Sequence, residues 1–422
     1  MRIIKTIINR YTQTGLILRI LIGIAAGIAL GLLVPGAAWI STIGKLFVGA
    51  LKAIAPVLVA VLVMASLCQK SAKLDRRFGL VIFFYLLSTL LASVAAVIAS
   101  FVFPQTIALA ETGSEVAQSS VPKGIGDVVE NLLGSVISNP IEALSTGNYL
   151  GILFWAVVIG LALKKVAGEA TQSLMTDLSE AVTTVVRGII QLAPFGIMSL
   201  VFSSVSETGL QAFLTYGKLV LLLVGTMLFL AFVLNPAIVA VALRRNPYPL
   251  VLRCLRGSGV TAFFTRSSAA NIPVNLDLCE KLGLDRDMYS VSIPLGATVN
   301  MDGAAVTITI MTLAAVNTFG ISVTLPSALV LAFLSALAAC GSSGVTGGSL
   351  LLIPMACSLF GIPDELSMQV VGVGFIIGVV QDSMETALNS SGDVLFTATS
   401  EYVEWKKQGK PLPDFLEKRR DK

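Results

Sequence analysis

The chain has 422 residues, of which 55% are hydrophobic and 13% are charged, and its mean hydropathy is +0.86. Its 29 basic and 25 acidic residues are too few to cover the roughly three soluble domains that such a length would allow. The composition therefore predicts an integral membrane protein. The absence of histidine excludes a Ser-His-Asp triad, a histidine-ligated metal and a histidine proton relay, so enzyme chemistry is disfavoured.

The cysteines and the net charge indicate no further class of site. The five cysteines have no Cys-x-x-Cys spacing and most lie in apolar surroundings, which predicts neither a disulfide framework nor a transition-metal site. The net charge of +4 comes largely from the chain ends and short loops. It therefore indicates how the chain is oriented in a bilayer and does not indicate a nucleic-acid partner.

Eight segments are candidates for spanning helices, which need about 20 mostly apolar residues. Four qualify cleanly, at 16–34, 46–67, 80–103 and 219–243, and four are shorter or interrupted, at 149–163, 185–205, 291–319 and 366–400. Lysine and arginine cluster before the first segment, after the second, fourth and sixth, and at 405–422. By the positive-inside rule these regions and both termini are cytoplasmic, and 104–147 is an external loop. Gly23, Gly27 and Gly31 predict close helix packing.

Two other segments predict hairpins that enter the membrane without crossing it. Residues 325–360 carry no charge and are interrupted by a Ser- and Gly-rich stretch at 340–348. The arms of about 16 and 12 residues give roughly 24 and 18 Å of helix, short of a hydrocarbon core of about 30 Å. A second Ser-Ser tip, Ser267 and Ser268, is also followed by Ile-Pro. Interrupted segments in corresponding positions of two halves predict the binding site of an inverted-repeat transporter.

An acidic stripe on the last helix adds to this prediction. At about 100° per residue, four polar side chains fall within about 80° of one another, and they are Asp382, Glu385, Asn389 and Asp393. Asp302 lies in another apolar segment, and Arg266 is the one positive side chain near either hairpin tip. One guanidinium cannot neutralise four carboxylates, so bound cations, protons or a cationic group on the ligand must make up the difference. A sodium-coupled amino-acid carrier supplies two of these.

Three motifs identify a family that the chain resembles: Thr-Arg-Ser-Ser at 265–268 before Ile-Pro, Asn-Met-Asp-Gly at 300–303, and Asn389 four residues before Asp393. They resemble the dicarboxylate/amino acid:cation symporters, which include the glutamate transporters, over the chain from the first span to about Glu404. Within that family the chain is most similar to the bacterial serine/threonine:sodium symporters.

The resemblance implies an all-α fold of about eight transmembrane helices and two re-entrant hairpins with inverted repeats. It implies a homotrimer in a bacterial inner membrane and an elevator-type mechanism. Residues 1–245 would be mainly scaffold, and 246–404 the moving transport core. That core would consist of a hairpin at 246–284, a helix at 287–319, a second hairpin at 325–360 and a helix at 364–403. The third span (78–103) and the sixth (218–243) would pack with it.

The resemblance also implies residue roles. Asp382 would bind the substrate ammonium, while Thr386 and Asn389 would hold substrate polar groups. The other residues of the implied substrate site are Arg266, Ser268, Gly344, Val345, Gly347 and Glu385. Sodium would bind at one place through Asp393, Gly296, Asn300 and Asn389. A second sodium place would use Asp302, Tyr85, Ser88 and Thr89, and a third the carbonyls of Thr298, Ala339, Cys340 and Ser342.

Departures from the family pattern refine the expected substrate. Members that carry acidic substrates have an arginine at the position of Glu385, and a glutamate there repels a side-chain carboxylate. We therefore predict sodium-coupled import of serine and threonine, with no cofactor. Ala304 replaces the usual Thr, which removes a hydroxyl near the second sodium place and leaves its occupancy open. Thr346 replaces the usual Pro, so the stiffness of the second hairpin tip is also open. The alternatives are a sodium- or proton-coupled carrier of broader neutral amino acids (alanine, cysteine) or of dicarboxylates, and a ligand-gated channel, although no filter loop supports a channel.

Overall fold

The computed structural model describes residues 15–37, 39–68, 76–109, 138–146, 148–209, 211–342 and 347–416. Within these ranges all regular structure is helical and no strand occurs. The α-helices are α1 (Leu16–Leu33), α2 (Trp39–Cys68), α3 (Arg76–Val102), α4 (Pro140–Thr146), α5 (Tyr149–Val166), α6 (Glu169–Ile190), α7 (Ala193–Thr208), α8 (Gln211–Phe229), α9 (Asn235–Leu243), α10 (Tyr248–Cys254), α11 (Val260–Thr265), α12 (Ser268–Lys281), α13 (Arg286–Val299), α14 (Asp302–Thr318), α15 (Leu325–Ala339), α16 (Ile353–Ser358) and α17 (Asp364–Lys407).

The long apolar helices confirm a multi-pass membrane protein. In the described residues five stretches are long and apolar enough to cross a bilayer: Trp39–Ala65, Arg77–Val102, Leu214–Leu243, Arg286–Thr318 and Asp364–Lys407. A bent helix pair, α6 and α7, brings the number to six if it forms one span. The number of eight spans stays a prediction, as does the orientation. Most of the predicted external loop, at 110–137, lies outside the described residues.

The predicted span that contains Pro194 is bent. The segment 185–205 divides between α6 and α7, which meet at an angle of 51°. Pro194 stands in the first turn of α7, where its missing N–H and fixed φ are tolerated, whereas in a helix interior it removes a hydrogen bond. The proline therefore starts a new helix instead of continuing the preceding one.

The glycines of α1 pack against α7, as the sequence predicts. A Cβ added at Gly27 would lie 2.9 Å from the Cβ of Val201, and one at Gly31 would lie 2.8 Å from that of Val205. Such distances are too short for a side chain, so these glycines allow the two helix backbones to approach closely.

Both hairpins have arms shorter than a membrane is thick. In hairpin 1 (248–281) the chain runs through α10, a π-helical turn and α11, and then returns as α12, which packs on α11. α12 has 14 residues and α15, the first arm of hairpin 2 (325–358), has 15. At 1.5 Å per residue these helices reach about 21 and 22 Å, against a hydrocarbon core of about 30 Å. Hairpin 2 returns through a 3₁₀ turn (Ser349–Leu352) and α16.

The centre of the molecule is formed by α14 and α17. α14 is buried from Asp302 to Val316 and packs against α3, α15 and α17. α13 and α14 are separated at Asn300 and Met301, so the helical ladder is interrupted in the middle of an apolar stretch. Irregular backbone at membrane depth is tolerated only where protein or a watery cavity covers it. Here it lies beside the polar face of α17.

A polar cluster joins the start of α3, the start of α13 and the C-terminal part of α17. Arg77, at the start of α3, binds Asp285 at 2.9 Å, and Glu401 on α17 accepts the backbone N–H of Asp285. The hydrogen bond and charge of Arg77 lower the pKa of Asp285. Asp285 also caps α13 by accepting the N–H of Asp287. The cluster therefore links α3, α13 and α17.

Candidate substrate and ion site

The four members of the acidic stripe are buried together on the inward side of α17. Asp382, Glu385, Asn389 and Asp393 are each at most 6% exposed. The tip of hairpin 1, the returning arm of hairpin 2 and the break between α13 and α14 contact them through the hydrogen bonds described below. The structure thus brings together residues that are 93 and 116 positions apart in the chain.

Asp382 connects the tips of both hairpins to α17. Its Oδ2 accepts a hydrogen bond of 2.7 Å from Nε of Arg266, and its Oδ1 accepts one of 3.2 Å from the backbone N–H of Gly347. Arg266 ends α11 in the left-handed conformation with φ of 51° and also donates from Nη2 to the carbonyl of Gly378. Left-handed backbone is uncommon for a residue with a side chain. This conformation ends α11 at Arg266, at the tip of hairpin 1. The guanidinium of Arg266 contacts α17.

Among the described residues, the side chains that donate hydrogen bonds to Glu385 are all uncharged. Its Oε2 accepts hydrogen bonds from Thr307 at 2.7 Å, from Ser349 at 2.9 Å and from Nε2 of Gln381 at 2.5 Å. A Cβ at Gly303 would lie 2.7 Å from the Cα of Glu385. Glycine at 303 therefore allows α14 to approach α17 closely enough for Thr307, one turn further on, to reach the carboxylate.

Asn389, Asn300 and Asp393 form a chain across the break between α13 and α14. The Oδ1 of Asn389 accepts the N–H of Gly303 at 2.7 Å, one of the N–H groups that a helix start leaves without a helical partner. Asn300 donates from Nδ2 to the carbonyl of Asn389 and to Oδ1 of Asp393, each at 3.0 Å. A Cβ at Gly296 would lie 2.7 Å from the same Oδ1 of Asp393. This group contains all four members of the first predicted sodium place.

Asp302 lies in a second polar group, which α3 and α9 complete. Ser88 and Thr89 donate to its Oδ1 at 2.9 and 3.1 Å, and Asn235 donates to its Oδ2 at 3.0 Å. Ser88 also lies 3.2 Å from Oδ1 of Asn300. The two predicted sodium places are therefore neighbours joined through Ser88 and Asn300.

Two predicted contacts differ from those observed. Tyr85 was grouped with Asp302, but its hydroxyl lies 2.9 Å from that of Thr397 and 3.1 Å from the carbonyl of Asp393. The side chain of Tyr85 lies on the Asp393 side because α3 places it one turn before Thr89. Thr386 was expected to hold substrate, but its hydroxyl donates to the carbonyl of Asp382 in its own helix at 2.7 Å. Such back-bonding leaves Thr386 only acceptor capacity toward a ligand.

The third predicted sodium place is partly assembled at the tip of hairpin 2. The thiol of Cys340 donates to the carbonyl of Val299, next to Thr298, at 3.5 Å. The carbonyl of Ala339 accepts the N–H of Ser342, and Ser268 is buried at the start of α12. Gly344 and Val345 lie outside the described residues.

Two buried oxygens fit a hard cation. Oδ2 of Asp393 and Oδ1 of Asn235 have no hydrogen-bond partner in the part of the chain that the structure describes. Leaving a buried carboxylate oxygen without a partner is costly. Carboxylate and amide oxygens are ligands that suit Na⁺-like hard ions. The polar groups around Asp393 and Asp302 can therefore hold cations. The charge of Arg266 is already paired with Asp382.

Sequence reasoning missed four contacting residues of the site. They are Asn235, Thr307, Ser349 and Gln381. A partial signal was present for three of them: Gln381 precedes Glu385 by one turn, Ser349 directly follows the glycine-rich tip, and Asn235 is polar within an apolar segment. A polar residue in such a segment is conspicuous in a bilayer.

Comparison with known proteins identifies the family of this chain. A family model described as the sodium:dicarboxylate symporter family matches residues 16–402. A serine/threonine transporter SstT of Bifidobacterium adolescentis is 57% identical over 419 residues, covering 99% of this chain and 97% of the relative. A serine/threonine transporter SstT of Streptococcus agalactiae serotype III is 55% identical over 397 residues, covering 94% of this chain and 98% of the relative.

Proposed function

The chain belongs to the sodium:dicarboxylate symporter family, and on that premise we propose that it carries serine and threonine into the cell together with Na⁺. The observation that carries this proposal is the Glu385 carboxylate, one helical turn from Asp382 and surrounded by uncharged donors. A dicarboxylate substrate needs a cation for its side chain, whereas a carboxylate at this place accepts a hydrogen bond from a hydroxyl. The 55–57% identity to serine/threonine transporters supports the same substrates.

The substrate ammonium would bind Asp382. Each oxygen of this carboxylate accepts one hydrogen bond, from Arg266 or from Gly347, and each keeps a lone pair that can accept a proton of the arriving ammonium. The substrate carboxylate would then lie near Arg266 and the N–H groups at the start of α12, where Ser268 stands, since helix N-termini favour anions. Asn389 would approach the substrate through the carboxamide that also caps the start of α14.

Sodium would bind at the two acidic groups and at the hairpin tip. The first place would use Asp393, Asn300, Gly296 and Asn389, with Tyr85 beside them. The second would use Asp302, Ser88 and Thr89, with Asn235 as a further ligand. The third would use carbonyls of Thr298, Ala339, Cys340 and Ser342. The buried Oδ2 of Asp393 without a partner among the described residues supports the first place most directly.

Movement would follow the elevator scheme, with both hairpins, α13, α14 and α17 moving as one unit within a homotrimer whose termini are cytoplasmic. The contacts that Asp382 makes to both hairpin tips support a compact moving unit. Hairpin 2 would serve as the gate, as the resemblance implies, and the N–H of its Gly347 binds Oδ1 of Asp382, the carboxylate proposed to hold the substrate ammonium.

The test is uptake of labelled serine into liposomes that contain the purified protein, with Na⁺ or K⁺ outside. We expect accumulation only with inward-directed Na⁺, competition by threonine and none by aspartate. Equal uptake in K⁺ would overturn sodium coupling. Competition by aspartate would support a dicarboxylate carrier, and a single-channel conductance without accumulation would support a channel.

A further inference from the structure

We propose that Thr307, Ser349 and Gln381 are positioning residues that set the preference for hydroxyl-bearing substrates by fixing the Glu385 carboxylate. The inference rests on the proposed function, because it concerns how the same site distinguishes serine from alanine. All three side chains are buried, with exposed fractions of 0% for Thr307 and Gln381 and 1% for Ser349. Each comes from a different segment, so the arrangement exists only in the folded protein.

The direction of each hydrogen bond follows from chemistry. Gln381 presents its amide nitrogen, whose two protons serve Oε2 of Glu385 at 2.5 Å and Thr307 at 2.7 Å, and in its ionised form Glu385 only accepts. Thr307 has one proton and lies 2.7 Å from the carboxylate but 3.0 Å from the carbonyl of Gly303. The shorter, charge-assisted bond takes that proton. Gln381, Thr307 and Glu385 therefore form a directed chain.

All three donors converge on one oxygen of Glu385. Oε2 receives Thr307, Ser349 and Gln381, which orients the carboxylate and leaves Oε1 as the acceptor for a ligand. A fixed acceptor discriminates by hydrogen bonding, because a substrate without the hydroxyl leaves that acceptor unpaired. Without the three donors the carboxylate can turn, and the acceptor loses its direction.

Ser349 links this selection to hairpin 2. It begins the 3₁₀ turn of the returning arm, two residues after Gly347, whose N–H binds Asp382. When hairpin 2 is in the observed position, Asp382 and Glu385 are both held by residues of the same short segment.

The experiment compares serine and alanine uptake in liposomes for Thr307→Val, Ser349→Ala and the conservative variant Thr307→Ser. We expect Thr307→Val and Ser349→Ala to lower the preference for serine roughly five- to tenfold, the net effect of one typical intramolecular hydrogen bond. The change should come from a higher KM for serine, with the KM for alanine unaltered. Thr307→Ser, which retains the hydroxyl, should keep the wild-type preference.

Thr309→Val is the matched control. Thr309 lies on the same helix and is buried, and its hydroxyl has no hydrogen-bond partner among the described residues, so its preference should equal that of the wild type. The proposal is overturned if Thr307→Val and Ser349→Ala keep the preference, if serine and alanine uptake fall equally, or if both variants fail to fold while Thr309→Val folds. Loss of sodium-driven serine uptake in the wild type would instead overturn the proposed function.

Discussion

Removing the charge of Asp382 distinguishes a substrate contact from a structural ion pair. The Arg266–Asp382 pair is 6% and 3% exposed, with Nε and Oδ2 2.7 Å apart. Breaking a buried pair by removing one partner costs about 3–5 kcal/mol, because the other charge stays buried and unpaired. Asp382→Asn should therefore lower the free energy of unfolding by about that amount, and the lost countercharge to the substrate ammonium should reduce serine uptake at least roughly 100-fold.

The double variant D382N/R266Q separates these two effects. It removes both charges, so most of the lost stability should return, while serine uptake and serine-induced thermal stabilisation should stay absent. The assays are thermal unfolding in detergent with and without serine, and uptake into liposomes at saturating Na⁺. If the double variant takes up serine as the wild type does, Asp382 serves only as the counterion of Arg266, and its assignment to the substrate ammonium is wrong.

The remaining predictions concern the ion sites and the polar cluster. Asp302→Asn should raise the Na⁺ concentration for half-maximal uptake roughly tenfold or more, and an unaltered Na⁺ curve would give Asp302 a structural role. Gly296→Ala should abolish Na⁺-driven uptake, since its Cβ would lie 2.7 Å from an oxygen of Asp393, whereas Gly225→Ala, with nothing within 4 Å, should transport normally. Because Arg77 lowers the pKa of Asp285, the ion pair stabilises the fold above the unfolded-state pKa of about 3.9, and this contribution is lost as pH falls through the folded value. Asp285 is 41% exposed, so Asp285→Asn, which can still cap α13, should lower stability by only about 0.2–1 kcal/mol at neutral pH. In thermal unfolding this difference should shrink as pH falls through the folded pKa of Asp285, and a difference of constant size in acid would contradict the ion-pair origin.

The sequence by itself determined the membrane class, the two short-armed hairpins and the acidic stripe of α17. These features depend on composition, on segment length against the bilayer and on helical periodicity, all of which are local properties. The family resemblance followed from three short motifs, and the match over residues 16–402 confirms it. The polar face of α17 could be read in the same way, because Asp382, Glu385 and Asn389 recur at helical spacing.

Only the tertiary structure decided which partner each polar side chain finds. Arg266 and Asp382 are 116 positions apart, and Asn235 and Asp302 are 67 positions apart, so no local pattern links them. Tyr85 shares the face of α3 that carries Ser88 and Thr89 but lies one turn earlier, so its hydroxyl contacts Asp393 and Thr397 while theirs contact Asp302. A buried donor takes whichever acceptor the packing of neighbouring helices brings within about 3 Å, and that choice belongs to the assembled fold.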